Sequence, residues 1–188
     1  GAQWNNDVWH TYGWTPEASE FDKAILAGRY MHMTFADAQA NAFFWWGLVY
    51  SLAPDKETDP NVREKHRDEG LVLVEEKGGA NGMQKYLEKT KKFYVFKQFA
   101  NYIWKGSKRV EIESDSDLEV SAYRTYDGTR LVVVAINPTE SPVSLKVDLK
   151  DGFSAKRAFQ TDRTLNCQSV PLASPLPPHS IRTFVCLR

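Results

Sequence analysis

Ala40-Asn41-Ala42-Phe43-Phe44-Trp45-Trp46 is the stretch on which the fold turns. A run this short, apolar and aromatic predicts a strand buried on both faces, as in a parallel sheet. A segment with helical spacing precedes it and a long, highly charged loop follows. Helix, buried strand and elaborate loop, in that order, predict part of a β/α barrel, where the loop after each strand borders the active site. Two adjacent tryptophans there suit a surface that stacks on flat apolar ligand faces, sugars above all.

On the N-terminal side, Thr15-Pro16-Glu17 reads as a helix start: a capping Thr, Pro at the first helical position and an acid in the first turn. Phe21, Ala24, Ile25, Gly28, Met31 and Phe35 then recur at three- and four-residue spacing, one apolar face of a helix. On the C-terminal side, Ser51 to Glu69 is dense in Pro, Asp, Glu, Lys and Arg and reads as a solvated loop. Leu71-Val72-Leu73-Val74 is strand-like and closed by Lys77-Gly78-Gly79. A second helix is expected from near Met83, with Phe96, Phe99, Ala100 and Ile103 on one face, ending around Trp104-Lys105-Gly106.

After Gly106 the period changes from three or four to two. Leu118-Glu119-Val120-Ser121-Ala122 alternates, Tyr126-Asp127-Gly128-Thr129 is a hairpin turn, and Leu131–Ile136 predicts a buried strand. Val143-Ser144-Leu145-Lys146-Val147-Asp148-Leu149 alternates strictly. Lys156–Thr161 and Ile181–Leu187 are further strands, separated by the proline-rich stretch Pro171–Pro178. Short strands with turn signals at this spacing indicate a β-sandwich. The expected organisation is therefore residues 1–105 as the C-terminal part of a (β/α)8 barrel and residues 106–188 as a β-sandwich side domain. Helix, strand and helix cannot close a barrel alone, so something must cover the apolar face they expose.

Composition narrows the function classes. The chain has 188 residues, 42% hydrophobic and 26% charged, which suits a globular protein rather than a disordered one. Lys+Arg and Asp+Glu are equal at 24 each, so no basic excess points to nucleic acid or an anionic membrane. No apolar run approaches the length of a membrane helix. Gly1-Ala2-Gln3-Trp4 looks like an internal start rather than a signal peptide. Cys167 and Cys186, even in number and both late in the chain, fit one disulfide of a secreted protein or two reduced core thiols. The disulfide is the expectation here, worth about 3 kcal/mol for a loop of that length.

Five pieces of the chain, in order, resemble one known family. Lys92-Phe93-Tyr94-Val95-Phe96-Lys97-Gln98-Phe99-Ala100-Asn101-Tyr102-Ile103 is similar to the last barrel helix of glycoside hydrolase family 30. Trp104-Lys105-Gly106-Ser107-Lys108-Arg109-Val110 resembles its exit into the side domain. Val120-Ser121-Ala122-Tyr123, Asp127-Gly128 and Leu131-Val132-Val133-Val134-Ala135-Ile136-Asn137 resemble that domain's central hairpin. Pro177-Pro178-His179-Ser180-Ile181-Arg182-Thr183-Phe184-Val185 resembles its last strand, and Ala42-Phe43-Phe44-Trp45-Trp46 the eighth barrel strand.

The resemblance implies a (β/α)8 barrel with a fused β-sandwich, acting on β-linked glycans with retention of configuration. Such chemistry uses two carboxyls about 5–5.5 Å apart, one a nucleophile and the other an acid and base. In the family these glutamates follow barrel strands four and seven, so both are expected upstream of Gly1, with no catalytic residue in this chain. The implied substrate is a plant or fungal polysaccharide: xylan first, from the Trp pair, then a β-1,6-glucan or β-1,6-galactan. The family's sandwich also borrows strand material from the N-terminus of the full enzyme. The expected partners are thus the glycan and the N-terminal remainder of the same enzyme, in a secreted setting. A reading of another class is a non-catalytic carbohydrate-binding module.

Candidate site residues follow. Trp45 and Trp46 would point to opposite faces of a regular strand, so one at most faces the sugar. Trp4, Trp9, Tyr12 and Trp14 crowd the segment that the resemblance makes the loop after strand seven. In the loop Leu48–Arg67, Tyr50, Arg63, His66 and Arg67 are placed to set substrate preference, although a charge run is usually just solvated. Bacterial glucuronoxylanases of the family carry arginines directly after the Trp pair. Gly47-Leu48-Val49 stands here instead, against that mode of glucuronic-acid recognition. Glu17 and Glu20 fit a helix first turn better than catalysis. His10, His32, His66 and His179 show no zinc spacing, and no phosphate loop or nucleophile elbow occurs. No metal or other cofactor is expected.

Overall fold

Ser19 opens the first helix, α1 (Glu20–His32). Its backbone is extended, and its hydroxyl accepts the Asp22 N–H at 3.1 Å, filling one donor that a helix start leaves open. The computed structural model describes residues 18–52, 59–60, 69–79, 82–114 and 116–188; the helix start expected at Thr15-Pro16-Glu17 lies outside them. Phe21, Ala24, Ile25, Gly28 and Met31 are buried along one face of α1, as the apolar spacing predicts. A π-helical turn, Met33–Asp37, follows directly.

The run Ala40–Trp46 does not form the strand expected of it. Burial alternates along it: Phe43 and Trp45 are part-buried against the helices, and Phe44 and Trp46 are exposed. Its period is that of a strand, but one face has no cover and no ladder forms, so it is not buried on both faces. The ladder starts three residues later with β1 (Val49–Ser51), which runs parallel to β2 (Val72–Gly79) in the register Tyr50↔Leu73.

A second correction concerns residues near Met83, expected to begin a helix. They form β3 (Gly82–Lys89), paired antiparallel with β2 over eight positions from Val72↔Lys89 to Gly79↔Gly82. The helix starts later, as α2 (Lys91–Ala100). Its cap is Thr90, whose hydroxyl accepts the Phe93 N–H at 3.4 Å and donates to the Leu71 carbonyl at 3.0 Å. α2 also ends earlier than expected, at Ala100, and Gly106 takes its left-handed conformation (φ 83°) in a separate turn. Helices α1 and α2 meet at Gly28, where a Cβ would come within 2.8 Å of Val95 Cγ1. Only a residue without a side chain allows that approach.

Six strands form the second half: β4 (Lys108–Val110), β5 (Glu119–Arg124), β6 (Arg130–Asn137), β7 (Ser154–Thr161), β8 (Asn166–Val170) and β9 (Ser180–Leu187). They lie in the order β4-β5-β6-β9-β7-β8, every neighbour antiparallel. The sheet is covered on both faces. Val132, Val134, Ile136, Ile181 and Val185 pack under the helices with Phe21, Ile25, Val95 and Phe99. Ala122, Val133, Ala158, Phe184 and Cys186 face the other way, onto Leu145, Val147 and Leu149.

That second layer is the stretch Val143–Leu149. Its side chains alternate between sheet and solvent as predicted, yet its only β-bridge is Val143↔Leu176. The residues themselves set the apolar period, whereas a ladder also requires a neighbouring strand. The proline-rich stretch is tied down by Arg182 of β9, which is buried. Its guanidinium donates to the carbonyls of Ser174 at 2.5 Å and Pro175 at 2.8 Å, and also to Gln160.

The expected disulfide does not form: Cys167 and Cys186 are free and buried. Cys167 sits on β8 and Cys186 on β9, with β7 between them. Two strand spacings are about 10 Å, beyond the ~7 Å that a disulfide spans between Cα atoms. They also belong to opposite faces of the sheet. Burial pushes both thiols up, that of Cys186 to about 11, so both stay protonated and unreactive at neutral pH.

Candidate functional site

The aromatic run is positioned by what its inward residues touch. Phe43 lies 5.7 Å from Tyr30 of α1, 6.3 Å from Phe35 of the π turn and 5.8 Å from Phe96 of α2, centroid to centroid. Trp45 stacks beside Phe43 at 6.5 Å and meets Phe96 edge-on at 5.1 Å. Its indole N–H donates to the Glu69 carbonyl at 2.5 Å. Edge-to-face contacts at these spacings are favourable beyond the area they bury. Trp45 is thus committed to the interior.

Alternation then forces the neighbours outward. Phe44 is 90% exposed and Trp46 65% exposed, two residues apart on one side of an extended chain. Leu48 and Val49, further along the chain, and Leu87 of β3 are also exposed. Exposed aromatic surface in this quantity marks a contact face. Phe44 was missed in the sequence, although the same alternation that singles out Trp46 points to it.

Tyr50 stands at the end of the run. Its ring lies over Gly47, where a Cβ would come within 2.0 Å of it. Its hydroxyl donates to Glu69 Oε2 at 3.1 Å. Burial raises the Tyr50 pKa, and the Glu69 carboxylate beside it raises it further, against a smaller opposing effect from a hydrogen bond with the Trp46 side chain. Tyr50 is therefore a neutral hydrogen-bonding group at working pH. Glu69, on which both Trp45 and Tyr50 converge, was not anticipated; nothing in its local pattern separates it from the charges around it.

The remaining candidates divide cleanly. Trp4, Trp9, Tyr12, Trp14, Glu17, His10, Arg63, His66 and Arg67 lie outside the described residues. Glu20 does helix work: its Oε1 accepts the Lys91 backbone N–H at 2.9 Å, at the start of α2, and lies 3.3 Å from the buried Lys92 Nζ. His179 lies 2.8 Å from Glu140, and His32 is buried in the last turn of α1. Among the described residues no helix is long and apolar enough to cross a membrane.

Comparison with known proteins gives a consistent result. Residues 106–184 match the model of the glycosyl hydrolase family 30 beta sandwich domain. Glucuronoxylanase XynC of Bacillus subtilis (strain 168) is 21% identical over 196 residues, covering 98% of this chain and 39% of that protein. The solved structure of a conserved exported protein from Bacteroides fragilis superposes with a TM-score of 0.72 at 20% identity, covering 91% of this chain and 35% of that one. Xyn30A, a glycoside hydrolase family 30 subfamily 8 xylanase from Clostridium acetobutylicum, gives 0.65 at 23% identity, covering 92% and 40%. The chain therefore spans 39% of the curated relative and 40% of the xylanase structure.

Proposed function

Because residues 106–184 match the model of the glycosyl hydrolase family 30 beta sandwich domain, we propose that this chain is the C-terminal portion of a retaining glycosidase of that family, acting outside the cell on xylan. Residues 1–105 supply the last part of the barrel, ending near Gly106, and the sandwich buttresses it. The catalytic glutamates are assigned to a part of the enzyme beyond this chain, which spans 39% of the curated relative. That portion is the expected partner.

Trp46 carries the reading. It is a large aromatic surface turned outward from a segment whose inward side is locked by Phe43 and Trp45. In a retaining glycosidase the anomeric carbon must be held between two carboxyls about 5–5.5 Å apart. Aromatic cover on one side positions the ring and excludes water while the carboxyls act. Trp46 and Phe44 are offered as that cover, with the Tyr50 hydroxyl as a neutral polar contact at the rim. Trp45, facing inward, supports them.

Two features favour an N-terminal partner. Phe44 and Trp46 present exposed aromatic area on one side of the run, which invites cover, and Val143–Leu149 has strand alternation without a ladder. The Gly47-Leu48-Val49 sequence argues for xylan without an arginine-held uronic-acid branch.

The test is reducing-sugar release from xylan by this chain joined to its N-terminal portion, wild type against Trp46→Ala. A loss of tenfold or more in kcat/KM, with the fold intact, is expected. Unchanged kcat/KM would remove Trp46 from the site.

A further inference from the structure

Trp104 stands in a tight turn after α2, closed by the Ser107 N–H donating to the Trp104 carbonyl at 2.9 Å. The turn lies against the β5–β6 hairpin: a Cβ at the left-handed Gly106 would be 3.8 Å from Tyr126 Cβ. Each of these two neighbouring turns carries an exposed aromatic, Trp104 at 48% and Tyr126 at 78%. Neither ring belongs to a hydrophobic core.

Arg130, the first residue of β6, stands over Trp104 with its guanidinium carbon 4.6 Å from the ring centroid. A second cation is near. Arg157 of β7 lies 6.0 Å over Phe159, which stacks on Tyr102 at 5.0 Å. Burial lowers the Arg130 pKa, the Arg157 charge lowers it further, and Tyr102 opposes both more weakly. Among the described residues neither arginine side chain makes an ion pair or a hydrogen bond, and Arg130 Nε is buried without a partner. Asp127, three residues before Arg130, is engaged elsewhere: it accepts the Thr125 hydroxyl at 2.6 Å and the Thr129 N–H at 3.1 Å.

Two guanidiniums that influence one another with no acid between them favour an anion. A guanidinium fork matches a carboxylate, taking it through two parallel hydrogen bonds. Arg130 covers one face of the indole, and the exposed remainder of Trp104 suits the apolar face of a ring. A uronic acid offers both parts, a sugar ring and a carboxylate. Inorganic anions and acidic peptide side chains offer only the charge.

We propose that the Trp104–Arg130 end of the sandwich is a binding site for acidic saccharides, in which Trp104 takes the ring of a uronic acid and Arg130, with Arg157 nearby, takes its carboxylate. The site shares no residue with the Trp46 run and does not rest on the chain acting on xylan. Calorimetric titration of the full chain tests it, with xylotriose bearing one glucuronic-acid branch, unbranched xylotriose, and acetate as probes. The branched sugar should bind about fivefold tighter or better at low salt, and the advantage should shrink as salt screens the charge. Arg130→Gln should abolish the advantage; its backbone bonds to Thr125 do not involve the side chain, so the hairpin is kept. Arg130→Lys, which keeps the charge without the fork, should restore only part, and Trp104→Ala should weaken the branched sugar. No preference for the branched sugar overturns the proposal, as does a preference that survives Arg130→Gln. Acetate binding as tightly as the branched sugar would leave a site for any carboxylate and overturn it too. So would a preference lost on joining the N-terminal portion, which would make this face that portion's contact.

Discussion

The six-stranded sheet and the Phe43–Tyr50 segment are both rich in large apolar residues, but they treat their two faces differently. The sheet is covered on one side by α1 and α2 and on the other by Leu145, Val147 and Leu149. The aromatic segment is covered on one side only, and its other side presents Phe44 and Trp46. A sheet face hidden on both sides serves stability. An aromatic face built on a stacked base and then left open is what the proposed glycan contact requires.

The difference can be broken most forcefully in the sheet. Ile136 has no exposed surface and packs against Gly28's helix from below. Ile136→Ala should cost about 2–5 kcal/mol in denaturant unfolding, whereas Phe44→Ala should stay within about 0.5 kcal/mol of wild type. Equal losses would mean that the aromatic segment is core after all. Gly28→Val should cost about 1–3 kcal/mol by overpacking the α1–α2 contact at Val95, read the same way.

The tryptophan pair gives a finer comparison. Trp45→Phe keeps a ring beside Phe96 but removes the donor to the Glu69 carbonyl, leaving that acceptor unpaired. A loss of about 1 kcal/mol is expected. Trp46→Phe, which removes a more exposed donor beside the Tyr50 hydroxyl, should cost less stability than Trp45→Phe and chiefly alter glycan affinity. If the two variants exchanged roles, the direction of the run would be wrong.

The smallest expected effect is in pH dependence. Burial holds the His32 pKa below its ordinary value; the nearby Glu119 and Asp37 pull it up and Arg29 down, without overcoming burial. Of the groups on the facing strands, Tyr123 has its own pKa raised by burial, with its hydrogen bond to Ser121 and then the Arg109 charge opposing that rise. His32 is thus neutral in the fold and gains a proton more easily when unfolded. Its contribution is complete above the unfolded value near 6.5 and is lost as pH falls through the lower folded value. Denaturant midpoints measured from pH 8 to pH 5 should fall on the acid side. His32→Gln should flatten that fall, and an equally steep fall in the variant would assign it elsewhere.

How much was legible follows from which interactions are local. The apolar face of α1 and the buried run of β6 were readable because their periods are set by the residues themselves. β3 was not, although Asn81-Gly82 is a hairpin signal. Gln84, Lys85, Leu87, Glu88 and Lys89 also favour helix, and only the eight-position pairing with β2 decides between them. The free thiols depended on strand order, since β7 separates Cys167 from Cys186. The alternation of Trp45 and Trp46 was legible; which one faces outward depended on the helices that Phe43 and Trp45 pack against. Glu69 as the shared anchor required the fold.

The central claim is that this chain supplies one aromatic wall of a glycan cleft and leaves the reactive carboxyls to another segment. Xylan hydrolysis by the chain alone, and again joined to the N-terminal portion of the enzyme, tests it directly. The account predicts no reducing-sugar release from the chain alone and release from the joined protein. Hydrolysis by the chain alone would contradict it.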